Sequence, residues 1–307
     1  MKLAILFVHG IGDHKKDWAD RLMKDFSAAL EAETRRLLGP ETDVKAADMV
    51  DLRAVYWKDV FHRSQKRLHD ILTLSAKEAL RIGATWLTRP FVRYIRAFFH
   101  LQHTVVTGYI GDIIGYMGPA ARQEVYTRIT ACLDELAPSG AEGPQKRPLT
   151  IVAHSLGTVI TSDYVYDHAR TRGGEGFDAR LRLDNLFTVG SPIALFSLRY
   201  GGPEAFVSPI RMESPAGRWV NVYDLDDPVG MPLKTLNDAY AGAVAADVHV
   251  DAGWYGLSHT AYFNKQGTLR LIARKLAIDW AVLSGRLTQA QGAAHYRRYD
   301  DSLRVPR

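Results

Sequence analysis

Apolar positions along the chain fall into two patterns. Six short runs read as buried strands: Leu3–Val8, Asp51–Trp57, Leu149–His154, Leu186–Gly190, Trp219–Tyr223 and Ala246–Val250. Several are continuous rather than alternating, as expected of strands covered on both faces. Longer stretches with apolar residues at helical spacing separate them. Asp17–Leu38 is one, stopped by Gly39-Pro40; Thr158–Arg172 is another, ended by Gly173-Gly174; Thr260–Ser284 is a third. Strands that alternate with helices predict an α/β chain with a mostly parallel sheet and helices on both faces.

One interval breaks the alternation. About ninety residues separate the strand ending near Trp57 from the one starting at Leu149, where a single crossover needs only a dozen or more. The segment from Lys58 to about Met117 predicts a helical insertion, rich in Arg and carrying Trp86, Phe91, Tyr94, Phe98 and Phe99. The crossover helix proper is then Ala120–Leu136, and the Pro- and Gly-rich run Ala137–Pro148 is a loop. The expectation is a single domain over residues 1–307, with a helical cap inserted at about 58–117.

Composition narrows this little. The chain has 307 residues, 47% hydrophobic and 24% charged, so it can bury a core without staples. Cys132 is the only cysteine, which excludes a disulfide within the chain. Leu3–Val8 is too short for a signal segment, and Ala97–Gly111 is interrupted by His100, Gln102 and His103, so no integral membrane segment is expected. The reading is a cytoplasmic protein. Charge adds one feature. The net charge is +5, yet Arg53–Arg128 alone holds twelve Lys and Arg against five Asp and Glu. That excess suits a solvated helical face, or a peripheral contact of the cap with an anionic membrane or substrate. No motif for nucleic acid accompanies it.

The densest chemistry lies at Ala153-His154-Ser155-Leu156-Gly157, between a strand-like and a helix-like run. A Ser on a strand-to-helix turn, with small residues two before and two after, is the context of a nucleophile elbow. A helix N-cap role for Ser155 would not require small residues on both sides. A nucleophilic Ser needs donors for a developing oxyanion. The backbone N–H of Leu156 is one candidate. The N–H of Ile11, in Val8-His9-Gly10-Ile11-Gly12 after the first strand, is the other.

A base and an orienting acid should follow in the order Ser, acid, His. Of His168, His249, His259 and His295, His259 lies after the last strand and at the start of the last helix. His249 is the second candidate, His168 falls mid-helix, and His295 falls in a polar tail. The acid should come from Asp224, Asp226 or Asp227 after the strand ending near Tyr223. Asp227 is favoured because Pro228 holds it extended. His9 and His154, or His249, Asp251 and His259, could be imagined as metal ligands, but none has compact ligand spacing, so no metal and no cofactor are expected. His154 fills the variable elbow position and packs under the loops.

Together these residues resemble the α/β-hydrolase superfamily, in particular its serine esterases and lipases. Phe7-Val8-His9-Gly10-Ile11-Gly12 is similar to the oxyanion loop of small bacterial lipases, which also carry Ala at the first elbow glycine. Val189-Gly190-Ser191-Pro192 is a further lipase-like feature. Asn221–Leu233, and His259-Thr260-Ala261-Tyr262-Phe263, resemble the acid- and His-bearing segments of intracellular phospholipases acting on phosphatidic acid. The resemblance spans residue 3 to about 283. The basic insertion departs from it, and the metal-binding domain of those phospholipases has no counterpart here. The resemblance implies an α/β-hydrolase fold and cofactor-free hydrolysis of a small-molecule or lipid ester. Ser155 would be the nucleophile, His259 the base, Asp227 the acid, and Ile11 and Leu156 the oxyanion donors, with His9, Gly10, His154 and Gly157 in support. Thioester or amide chemistry uses the same groups, and a non-catalytic binding protein on the same fold is the remaining alternative.

Overall fold

The computed structural model describes residues 1–12, 14–61, 111–137, 146–173, 176–253 and 258–304. The described strands are β1 (Leu3–Val8), β2 (Val50–Val55), β3 (Arg147–His154), β4 (Leu181–Val189), β5 (Arg218–Tyr223) and β6 (Ala246–His249). They form one six-stranded, all-parallel sheet in the order β2-β1-β3-β4-β5-β6. The described α-helices are α1 (Asp20–Leu38), α2 (Ala46–Met49), α3 (Gly111–Met117), α4 (Pro119–Leu136), α5 (Leu156–Thr171), α6 (Ile193–Phe196), α7 (Asp238–Ala243), α8 (Ser258–Ala261), α9 (Gln266–Leu283) and α10 (Gln289–Ser302).

All six expected strands are present. β1 is buried at every position because it lies inside the sheet and is covered on both faces. Leu3, Ile5 and Phe7 point to the face built by α1, α9 and α10, where Phe7 meets Phe26 edge-on at 5.7 Å. Ala4, Leu6 and Val8 point the other way and are equally buried. β4 begins at Leu181 rather than Leu186. Its first residues alternate between buried Leu181 and Leu183 and the half-buried Arg182 and Asp184, so the continuous apolar run marks only its second half.

Two helical expectations change. Thr260–Ser284 divides into α8, a 3₁₀ turn at Tyr262–Asn264 and α9, because Lys265 is extended. His295 does not lie in a polar tail: it is on α10, opened by a capping box in which Thr288 and Gln291 bond reciprocally. The Thr-x-x-Gln spacing was a legible helix start.

The chain divides into two compact units. One is Met1–Gly10, Asp17–Val55 and Ala131–Arg307, which carries the sheet; the other is Ile11–Lys16 and Tyr56–Thr130. The second has its own buried features. Lys58 Nζ lies 2.8 and 3.0 Å from the two carboxylate oxygens of Asp112, which is fully buried. Trp57 meets Phe61 edge-on, and Phe61 packs on Gly115. Most of the expected cap, residues 62–110 with Trp86, Phe91, Tyr94, Phe98 and Phe99, lies outside the described residues.

Candidate active site

The strand order sets where a site can form. From β1 the chain steps to β2 on one side, then returns to β3 on the other side of β1. In open parallel sheets this reversal opens a crevice outside the carboxyl ends of the two strands. Gly10 follows β1 at that point, and Ser155 follows β3.

Ser155 makes the turn from β3 into α5 at φ 52°, ψ −129°, and it is the one non-glycine residue with positive φ among the described residues. That conformation is costly for a side chain with a Cβ and persists only where the surroundings enforce it. Here the Ser155 N–H donates to the Val189 carbonyl at 2.9 Å. Its carbonyl accepts from the Thr158 N–H and hydroxyl. The turn is crowded on both sides. A Cβ on Gly10 would come within 2.4 Å of Ser155 Cβ, and one on Gly157 within 2.5 Å of the His9 carbonyl oxygen. Ala153, in place of a glycine, is accommodated and fully buried.

A continuous hydrogen-bonded chain leads away from Ser155. His259 Nε2 is 2.7 Å from Ser155 Oγ, and His259 Nδ1 is 2.8 Å from Asp227 Oδ2 and 3.0 Å from Oδ1. An ionised carboxylate only accepts, so Nδ1 carries the proton and Nε2 is left to accept from the Ser155 hydroxyl. Ser155 and Asp227 are buried, and the His259 side chain is 13% exposed. Burial alone would push the Asp227 carboxyl up. Its hydrogen bond and attraction to His259, with the Tyr262 hydroxyl and the Val229 N–H, outweigh this and hold it down at about 2. The carboxylate is therefore ionised at neutral pH.

The other two aspartates have separate jobs. Asp224 ties the loop down, accepting the Asp226 N–H at 2.9 Å and the Ala252 N–H at 2.6 Å. Asp226 is exposed. Further along, Asn221 donates to the Met231 carbonyl and Asp247 accepts the Leu233 and Lys234 N–H groups, so the segment after Asp227 is anchored to β5 and β6.

The supporting residues are also placed. His154 Nε2 donates to the His259 carbonyl at 2.7 Å, which fixes the backbone that carries the His259 imidazole. His9 is buried, donates from Nδ1 to the Gly10 carbonyl at 2.7 Å and meets Trp18 edge-on. Leu156 is the first residue of α5, so its N–H has no intrahelical acceptor. Ile11 belongs to the second unit. The rival histidines lie elsewhere: His168 stacks on Tyr164 within α5, His249 ends β6 with Nε2 3.9 Å from Asp224, and His295 is on α10.

One participant escaped the sequence reading. Tyr262 is fully buried; its hydroxyl accepts from the Asp224 N–H at 2.9 Å and donates to Asp227 Oδ2 at 2.7 Å. Burial, then the bond to Asp227, push its pKa up, so it stays a donor. Gly190, at φ 56°, leaves room for this contact, since a Cβ there would come within 2.8 Å of the Tyr262 ring and 3.1 Å of Asp227 Oδ2. Tyr262 lies three residues after His259, but nothing in that spacing indicates which carboxylate it meets.

No protein-family model matches the chain, and no curated protein matches it. Among the described residues, no three His, Cys, Asp or Glu side chains converge as metal ligands, and no helix is long and apolar enough to cross a membrane.

Proposed function

We propose that this protein is a serine hydrolase of the α/β-hydrolase type, cleaving carboxylic esters of acyl or lipid substrates through an acyl-enzyme. One observation carries the reading: Ser155 Oγ, held at a strained turn, is 2.7 Å from His259 Nε2, whose Nδ1 is 2.8 Å from a buried, ionised Asp227. A Ser kept at positive φ only to cap a helix would have no use for an oriented imidazole.

In the proposed reaction Ser155 Oγ attacks the ester carbonyl while its proton passes to His259 Nε2. Asp227 holds the imidazole and stabilises it when charged. The Leu156 N–H donates to the oxyanion of the tetrahedral intermediate. Collapse breaks the ester C–O bond, and the alcohol leaves with the proton from His259. Water then attacks the acyl-enzyme, giving its proton to His259, and the acid departs as that proton returns to Ser155 Oγ. The balance requires only ester and water.

The test is covalent labelling by small and bulky fluorophosphonates, read as intact mass, with ester hydrolysis assayed in parallel. A single adduct on the wild type, lost in Ser155→Ala, is expected. A folded wild type that neither labels nor hydrolyses any ester in a panel of short and long acyl chains would overturn the reading.

A further inference from the structure

A concave feature elsewhere on the molecule shares no residue with the Ser155 network. A cleft of about 370 Å³ lies between α1, α9 and α10, lined among others by Arg36, Arg270, Arg274, Arg298, His295 and Glu33. That volume is within the range of small-ligand sites. Three helices contribute, so the cluster is a product of packing rather than of one charged stretch.

Its charge is one-sided. The four arginines face a single carboxylate, Glu33, whose side chain is 9% exposed and pairs with both Arg36 and Arg270. Glu33 thereby orients two guanidinium groups at the cleft. Among the described residues Arg274 and Arg298 have no ion-pair partner. Arg270 and Arg274 are also spaced i, i+4 on α9, where like charges repel. The positive environment is felt by His295, whose pKa is lowered by burial and then by Arg298 and Arg274. Four cations with one shared counter-ion, gathered in a concavity, form an arrangement that an anion relieves.

We propose that this cleft binds a phosphorylated ligand through a di- or polyphosphate or a phosphodiester group. Guanidinium forks match phosphate oxygens two at a time, and a group with several anionic oxygens can engage Arg274 and Arg298 while Arg36 and Arg270 stay on Glu33. A lone carboxylate would leave most of the charge uncompensated. His295 is a further donor at the same wall.

The experiment titrates the full chain with pyrophosphate by calorimetry, and with phosphatidylglycerol vesicles by co-sedimentation. It compares the wild type with Arg274→Gln/Arg298→Gln and with a control, Lys45→Gln/Arg172→Gln, that removes the same charge from exposed positions elsewhere. Thermal melts check that all three fold. Saturable pyrophosphate binding is expected, weakened at least about tenfold in the cleft variant and little changed in the control. The His295 titration, followed by NMR, should move up when pyrophosphate is bound. Vesicle binding that depends on the cleft arginines, without pyrophosphate binding, would assign the phosphate to a lipid headgroup and keep the proposal. Absence of binding to both probes, or equal loss in cleft variant and control, would overturn it.

Discussion

Two of the sheet's buried polar networks, one near each end of its strands, are built on opposite terms. At the carboxyl end, Ser155, His259, Asp227 and Tyr262 form one line of hydrogen bonds that begins at a strained residue. At the amino end, Asp279 on α9 gathers Lys275 Nζ at 2.6 and 2.7 Å, Asn185 at 2.9 Å and the Tyr296 hydroxyl at 2.8 Å. Lys275 is 1% exposed, and burial lowers its pKa against the pull of Asp279. The second network has no positive-φ residue in it and saturates its carboxylate from three sides. The first ends in a hydroxyl whose proton points at a base. A buried polar cluster that only holds elements together has no use for strain; backbone strain at a serine that is hydrogen-bonded to an imidazole supports the proposed chemistry.

The widest separation should come from Ser155→Ala. Ester hydrolysis should fall by a factor on the order of 10⁴ to 10⁶, while the melting temperature changes little, since the hydroxyl is no part of the core. Loss of activity together with collapse of the fold would erase the contrast.

Asp279→Ala should do the reverse. It strands a fully buried ammonium, which costs on the order of 3–5 kcal/mol of stability, with kcat per folded molecule unchanged. Urea denaturation reads the first quantity and active-site titration the second. Replacing both partners, Lys275→Met with Asp279→Leu, should recover much of the loss.

Tyr262→Phe tests the link between Asp227 and its loop. It removes a donor to Asp227 and an acceptor for the Asp224 N–H, costing about 1–3 kcal/mol of stability. Asp227 loses one of the groups that hold its pKa down, so the acid limb of any pH–rate profile governed by Asp227 should move to higher pH. An unchanged limb would make Tyr262 a packing residue only.

The smallest effect is in acid. The folded Asp227 titrates at about 2, below its ordinary 3.8. Its contribution to stability is therefore full above about pH 4 and is lost as pH falls through 2, amounting to roughly 2 kcal/mol. Asp227→Asn should flatten the stability curve in that window and nowhere else.

The strands and the strand-to-helix turn at Ser155 were legible in the chain because their causes are local. A strand covered on both faces needs a largely continuous apolar run; Leu3–Val8 is one, and Leu149–Ala153 is interrupted only by Thr150. A crowded turn needs small residues at fixed offsets, and Ala153 and Gly157 stand at them. The start of β4 is hidden because polar residues alternate there, and burial of one face is set by neighbours distant in sequence; α10 is polar throughout, and only the Thr288–Gln291 spacing marks its start. Three aspartates in four residues look alike locally. Only the return of α8 across the sheet edge puts His259 against Asp227 rather than Asp224 or Asp226.

The sequence by itself determined the alternation of strands and helices, the parallel sheet and the strand-to-helix turn at Ser155, since propensity, burial pattern and small-residue spacing act over a few residues. Tertiary structure decided the rest. It brought His259 to a serine 104 positions away, gave Tyr262 its carboxylate, and gathered Arg36, Arg270, Arg274 and Arg298 from three helices into one cleft. Those contacts depend on how helices pack on a twisted sheet, and packing is a property of the whole core rather than of any short stretch of chain.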